Sequence, residues 1–229
     1  IANMAKLAAK TPHGSRWEKL LSALTAVQAW SEQVDSQEKG RLLEVTGFGS
    51  NPGELRMYSY VPERLPANAP LVVVLHGCTQ SAASYNKGSG WSTLADRYGF
   101  ALLLPQQQWN NNPLRCFNWF KPEDNERDKG EPLSIRQMVD RMLHDHGLDR
   151  RQVYVTGTSS GGAMTTVMLA TYPEVFAGGA VLAGVPYRTA KGLQEGLESI
   201  FQGRSRSAGE WGQLVRAASS HQGPWPKIS

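Results

Sequence analysis

The residues best able to do covalent chemistry lie at Gly157-Thr158-Ser159-Ser160-Gly161-Gly162. They fit G-x-S-x-G, with an apolar β-branched run before and a helix-forming stretch after. A sharp strand-to-helix turn would hold Ser159 in a strained conformation, with small residues two positions to either side letting strand and helix approach. The hydroxyl would then stand above the sheet at a helix N-terminus, where backbone N–H groups favour developing negative charge. Such a serine attacks acyl carbons. Spacing selects Ser159 over Ser160, because Ser160 as nucleophile would need Gly where Thr158 stands. The competing reading is a Gly-rich helix start capped by Ser160 or Thr158.

An acyl-transfer serine needs donors for an oxyanion. The N–H of Ser160 is one candidate. The loop after the first apolar run, His76-Gly77-Cys78-Thr79-Gln80, offers the other, with the N–H of Cys78 as donor and Gly77 permitting close approach. His76 ends a strand and reads as a loop-orienting residue rather than a base. Gln80 and Trp119 are candidate substrate contacts, although core packing explains Trp119 equally well. Glu131 and Asp128 read as helix N-terminal charges.

Elements that would position these residues alternate along the chain. Residues 17–30 carry Trp17, Leu20, Leu21, Leu24 and Val27 at helical spacing, and polar residues 31–40 read as a linker. A β-hairpin is expected over 41–62, turning at Gly49–Gly53, with Leu55, Met57, Ser59 and Val61 on one face. Buried strands are expected at 71–75, 100–104 (closed by Pro105), 153–156 and 179–183, and helices at 91–98, 132–146 and 161–171. This alternation argues βαβ units and a mostly parallel sheet. The domain division is 1–40, helix and linker, then 41–229.

Composition excludes some classes. The chain has 229 residues, 40% hydrophobic and 19% charged, as expected of a globular domain with its own core. A net charge of +4 with scattered basic residues gives no nucleic-acid stripe, and no apolar run is long enough to span a membrane. Cys78 and Cys116 are the two cysteines. They would stabilise the fold by roughly 3–4 kcal/mol if paired. Pairing suits an exported protein, and two buried thiols are the alternative.

HGCTQ (76–80), CFNWF (116–120), KGEPLSI (129–135), VYVTGTSSGGAM (153–164) and YPEVFAGGAVLAGVPY (172–187) together resemble the poly(3-hydroxybutyrate) depolymerase family, which is similar to feruloyl and acetyl-xylan esterases. The resemblance implies an α/β-hydrolase fold, a carboxylic-ester substrate, small or polymeric, no cofactor or metal, and an extracellular or periplasmic setting. Thr158 and Ser160 stand where the family usually has Leu or Met and Ala. The fold's triad order is Ser, acid, His. After Ser159 the chain has no Asp, one His (His221) and four Glu. His221 precedes the strand opened by 223–229 rather than following a later one, so the acid and base are expected beyond residue 229. A non-catalytic binding or scaffold protein of the same fold is the alternative function, and a thiol-based role for Cys78 a weaker one.

Overall fold

A computed structural model describes residues 14–38 and 40–229. Seven strands form one sheet: β1 (Leu43–Val45), β2 (Arg56–Tyr60), β3 (Leu71–Leu75), β4 (Ala101–Gln106), β5 (Val153–Thr158), β6 (Gly178–Leu182) and β7 (Lys227–Ile228), in the order β1-β2-β4-β3-β5-β6-β7. The β1–β2 and β2–β4 pairs are antiparallel, and the pairs from β4 to β7 are parallel. This is the mostly parallel sheet expected from the alternating pattern.

The two central strands, apolar along 71–75 and 101–105, are so because both of their faces are covered. Leu71, Val73 and Leu75 of β3, with Ala101 and Leu103 of β4, join one core; Val74, Leu102 and Leu104 join the other. The first core is closed by α4 (Gly130–His146), through Ile135, Met138, Val139 and Met142, and by α5 (Ser160–Thr171), through Met164, Val167 and Met168. The second is closed by α2 (Ala82–Ser89), through Ala82, and by α3 (Trp91–Tyr98), through Ala95. Leu55, just before β2, and Met57 and Ser59 on it are buried, as the hairpin alternation requires. β4 runs past the expected stop at Pro105, which pairs with Met57 in the antiparallel ladder.

The N-terminal helix is longer than its apolar pattern. As α1 (Gly14–Gln37) it absorbs most of the expected 31–40 linker. The reason is tertiary: Ser31 and Val34 are buried, and Ser31 Oγ donates to Ser84 Oγ of α2 at 2.9 Å. Leu20, Leu21, Leu24 and Val27 are half-buried; the side chain of Trp17 lies outside those described. Three further helices have weak sequence signals. α2 rests on a capping box made by Ser81 and Ser84, and a left-handed Gly90 ends it and starts α3. α6 (Leu193–Gln202) and α7 (Ala208–Arg216) fill the long crossover between β6 and β7.

Leu103 is fully buried, whereas Leu43 on the edge strand is 68% exposed. Leu103→Ala is therefore expected to cost about 2–5 kcal/mol in urea unfolding, and Leu43→Ala no more than about 0.5 kcal/mol. Equal losses would contradict this placement of the core.

Candidate active site

Ser159 follows β5 and precedes α5 with φ 55° and ψ −118°. A non-glycine residue held there costs on the order of 1–3 kcal/mol. Its neighbours impose the turn. The Ser159 N–H donates to Leu182 O at the end of β6 (2.9 Å), and its carbonyl accepts from Ala163 N (2.9 Å). A Cβ on Gly157 would stand 2.5 Å from the Gly161 backbone, and one on Gly161 only 2.2 Å from Leu75 O. One on Gly162 would stand 2.6 Å from Leu182 O. The small residues flanking Ser159 are thus required by contact, as the motif implies.

The loop His76–Gln80 lies against this turn. A Cβ on Gly77 would be 3.3 Å from Thr158 Cγ2 and 3.5 Å from Ser159 Cβ. Four contacts fix the loop. The Gly77 N–H donates to Gln80 Oε1 (2.8 Å) and the Gln80 N–H to Gly77 O (3.3 Å). The Thr79 N–H donates to Leu114 O (2.6 Å), and a disulfide joins Cys78 to Cys116. Thr79 itself has φ 64°. The cysteines are therefore paired, which resolves the alternatives left open by their count. Among the described residues the Cys78 N–H finds no acceptor, and the Ser160 N–H opens α5 without an intrahelical one. These two N–H groups, without a partner among the described residues, belong to the two elements that meet at Ser159.

His76 is buried, with both ring nitrogens engaged. Nε2 accepts from the Gln107 N–H (3.1 Å), so Nδ1 carries the proton and donates to Gly77 O (2.7 Å). The ring also packs on Phe117, with centroids 4.9 Å apart. Burial lowers its pKa to about 4, against the pull of the Gly77 carbonyl. This is a neutral positioning histidine, in line with the loop-orienting reading.

Behind the disulfide loop lies a polar cluster that sequence patterns do not reveal. Glu131, in the first turn of α4, is fully buried. Its Oε1 accepts from Gln107 Nε2 (2.5 Å) and its Oε2 from the Asn118 N–H (2.9 Å). Burial, with Asp124 close by, raises its pKa well above the usual carboxylate range. Gln107 also donates to Cys116 O (3.2 Å). Glu131 is thus more than a helix-end charge: it holds the two ends of the 107–118 loop. The one signal for it was its place inside the KGEPLSI block.

The two expected substrate contacts, Gln80 and Trp119, each have partners within the chain. The Oε1 of Gln80 closes its own loop. Trp119 is 8% exposed, edge-on to Phe120 and beneath Gly196 of α6. No described imidazole is brought to Ser159. His144 and His146 end α4, on the side from which β5 starts. His221 donates through Nε2 to Pro224 O (2.9 Å) and packs on Trp225. Because Gly178 pairs with Lys227, His221 lies near the amino ends of the parallel strands, while Ser159 lies at the carboxyl ends. The length of β6, about 13 Å at 3.3 Å per residue, separates the two ends.

Comparison with known proteins places this geometry. A sequence model of the family described as "Esterase PHB depolymerase" matches residues 57–220. Poly(3-hydroxyalkanoate) depolymerase C of Paucimonas lemoignei is 51% identical over 197 residues, 86% of this chain and 47% of that protein. Acetylxylan esterase A of Emericella nidulans is 37% identical over 196 residues, 82% of this chain and 64% of that protein. The chain thus spans roughly half to two thirds of the length of these relatives. The solved acetyl xylan esterase from Aspergillus awamori superposes with a TM-score of 0.76 at 33% identity, over 82% of this chain and 70% of that one.

Two measurements follow from the site. The His76 imidazole has an ordinary pKa of about 6.5 when unfolded and one lowered to about 4 when folded. Its neutral form is thus stabilised by folding, and that contribution is lost as pH falls from 6.5 towards 4. The stability difference between wild type and His76→Gln in urea should therefore shrink across that window; a difference independent of pH would contradict it. Ser160 Oγ is buried and has no partner among the described residues. Ser160→Ala should leave stability unchanged or raise it by about 1 kcal/mol, whereas a loss of thermal stability would show that the hydroxyl is bonded.

Proposed function

The chain belongs to the PHB-depolymerase esterase family, and from that premise we infer that it carries the nucleophile and oxyanion site of a serine esterase acting on carboxylic esters. One observation supports this above the rest: Ser159 sits strained at the start of α5 with the His76–Gln80 loop packed against its turn, and among the described residues the N–H groups of Ser160 and Cys78 have no partner. The Oγ of Ser159 attacks the ester carbonyl. The carbonyl π electrons move onto oxygen, which the two N–H groups receive, and the hydroxyl proton passes to an imidazole base. Collapse of this intermediate expels the alcohol, which takes that proton, and leaves an acyl-serine; water then releases the acid and restores the serine. The base and its orienting acid come from outside the described residues, since no described histidine faces Ser159. The names of the relatives favour hydroxyalkanoate polyesters or acylated and feruloylated sugars as substrates. The disulfide favours an exported protein, and no described helix is long and apolar enough to cross a membrane.

A non-catalytic role for the same fold is the second reading, favoured by finding no imidazole beside Ser159 among the described residues. Hydrolysis of p-nitrophenyl butyrate by the intact gene product separates the two. The esterase reading predicts measurable turnover that Ser159→Ala lowers by a factor on the order of 10³ or more. Turnover unaffected by that substitution rules out Ser159 as nucleophile, and no turnover by either protein favours the non-catalytic role.

A further inference from the structure

The disulfide that ties the oxyanion loop in place is gripped on both sides by one side chain from outside the sheet. Asp35 lies near the C-terminal end of α1. Its Oδ1 accepts from Ser81 Oγ, and its Oδ2 stands 3.9 Å from Nη1 of Arg115. Ser81 comes three residues after Cys78 and caps α2; Arg115 immediately precedes Cys116. One carboxylate therefore spans the two chain segments that the disulfide joins.

Arg115 needs such a partner. It is buried, and its backbone has φ 50°. Its Nε donates to Gln107 O at 3.4 Å, and its guanidinium lies 4.9 Å from the Trp109 ring centroid. Among the described residues Asp35 is the one carboxylate within salt-bridge distance. Burial works against the charge on Arg115, and Asp35 is the first of the groups that sustain it. The rest of α1 and the residue that follows it keep Asp35 fixed: Ser31 bonds to Ser84, Trp30 packs on Gly88, and Glu38, just past the helix, pairs with Lys87 (2.8 Å). All three contacts fall on α2, the helix that continues the oxyanion loop.

We propose that Asp35 is a positioning residue for the oxyanion site, through which α1 sets the placement of the Cys78 N–H by holding Ser81 and Arg115 together. The inference rests on the esterase reading above. It touches no reacting atom. A donor displaced by a fraction of an ångström weakens stabilisation of the developing charge more than it weakens ester binding.

The test compares wild type with Asp35→Ala, Asp35→Glu and Ser159→Ala in the intact gene product. Two readouts are used: p-nitrophenyl butyrate kinetics and amide hydrogen exchange of residues 76–81. The proposal expects Asp35→Ala to lower kcat about tenfold or more with KM within about twofold, the signature of lost transition-state stabilisation. It expects Asp35→Glu to recover much of that loss, and exchange at Gly77 and Thr79 to quicken in Asp35→Ala under conditions where circular dichroism shows the fold retained. Unchanged kcat in Asp35→Ala, with Ser159→Ala inactive, overturns it. If Ser159→Ala does not abolish turnover, the esterase reading fails instead, and the exchange data still decide the role of Asp35: unchanged exchange at Gly77 and Thr79 overturns it.

Discussion

Ser159 cannot keep a φ of 55° unaided. The conformation persists because two surfaces press on it: the end of β6, through Leu182 O, and the backbone of the β3 loop, which leaves no room for a Cβ at Gly161. The β3-β5-β6 neighbourhood in the parallel sheet brings those surfaces together. A parallel sheet collects the carboxyl ends of its strands on one edge, and the same order that strains the serine also delivers the His76–Gln80 loop to its side.

That loop is the less self-sufficient half of the site. It contains a non-glycine residue at positive φ, Thr79, and a glycine packed against Ser159. The chain holds it with a covalent bond to Cys116, a neutral histidine whose tautomer is set by Gln107, and a buried glutamate that binds the partner loop at both ends. Burying Glu131 is costly for its charge. Its two accepted hydrogen bonds work against that cost without cancelling it, and they tie both ends of the 107–118 loop to α4.

Local features were the ones legible in the sequence. The G-x-S-x-G turn announced itself because its steric requirement falls on residues two apart, and β3 and β4 did so because burial on two faces leaves a continuous apolar run. Side chains whose role depends on a distant partner did not. Gln80 reads as a substrate contact in the sequence, which does not show that its side-chain carbonyl also accepts from the Gly77 N–H three residues away. Trp119 sits in the wall between loop and α6. The end of α1 read as linker because its buried face is made by serine and valine meeting another helix. The disulfide stayed open because spacing cannot show that the Cys78 and Cys116 backbones approach to a Cα separation of 4.2 Å.

On the proposed function Ser159 is an acyl-accepting nucleophile facing a preformed oxyanion site. Treating the intact gene product with diethyl p-nitrophenyl phosphate and mapping the adduct by peptide mass spectrometry tests it most directly. The account predicts one diethylphosphoryl group, on Ser159 Oγ. Modification of another residue in its place, with Ser159 untouched, would contradict it.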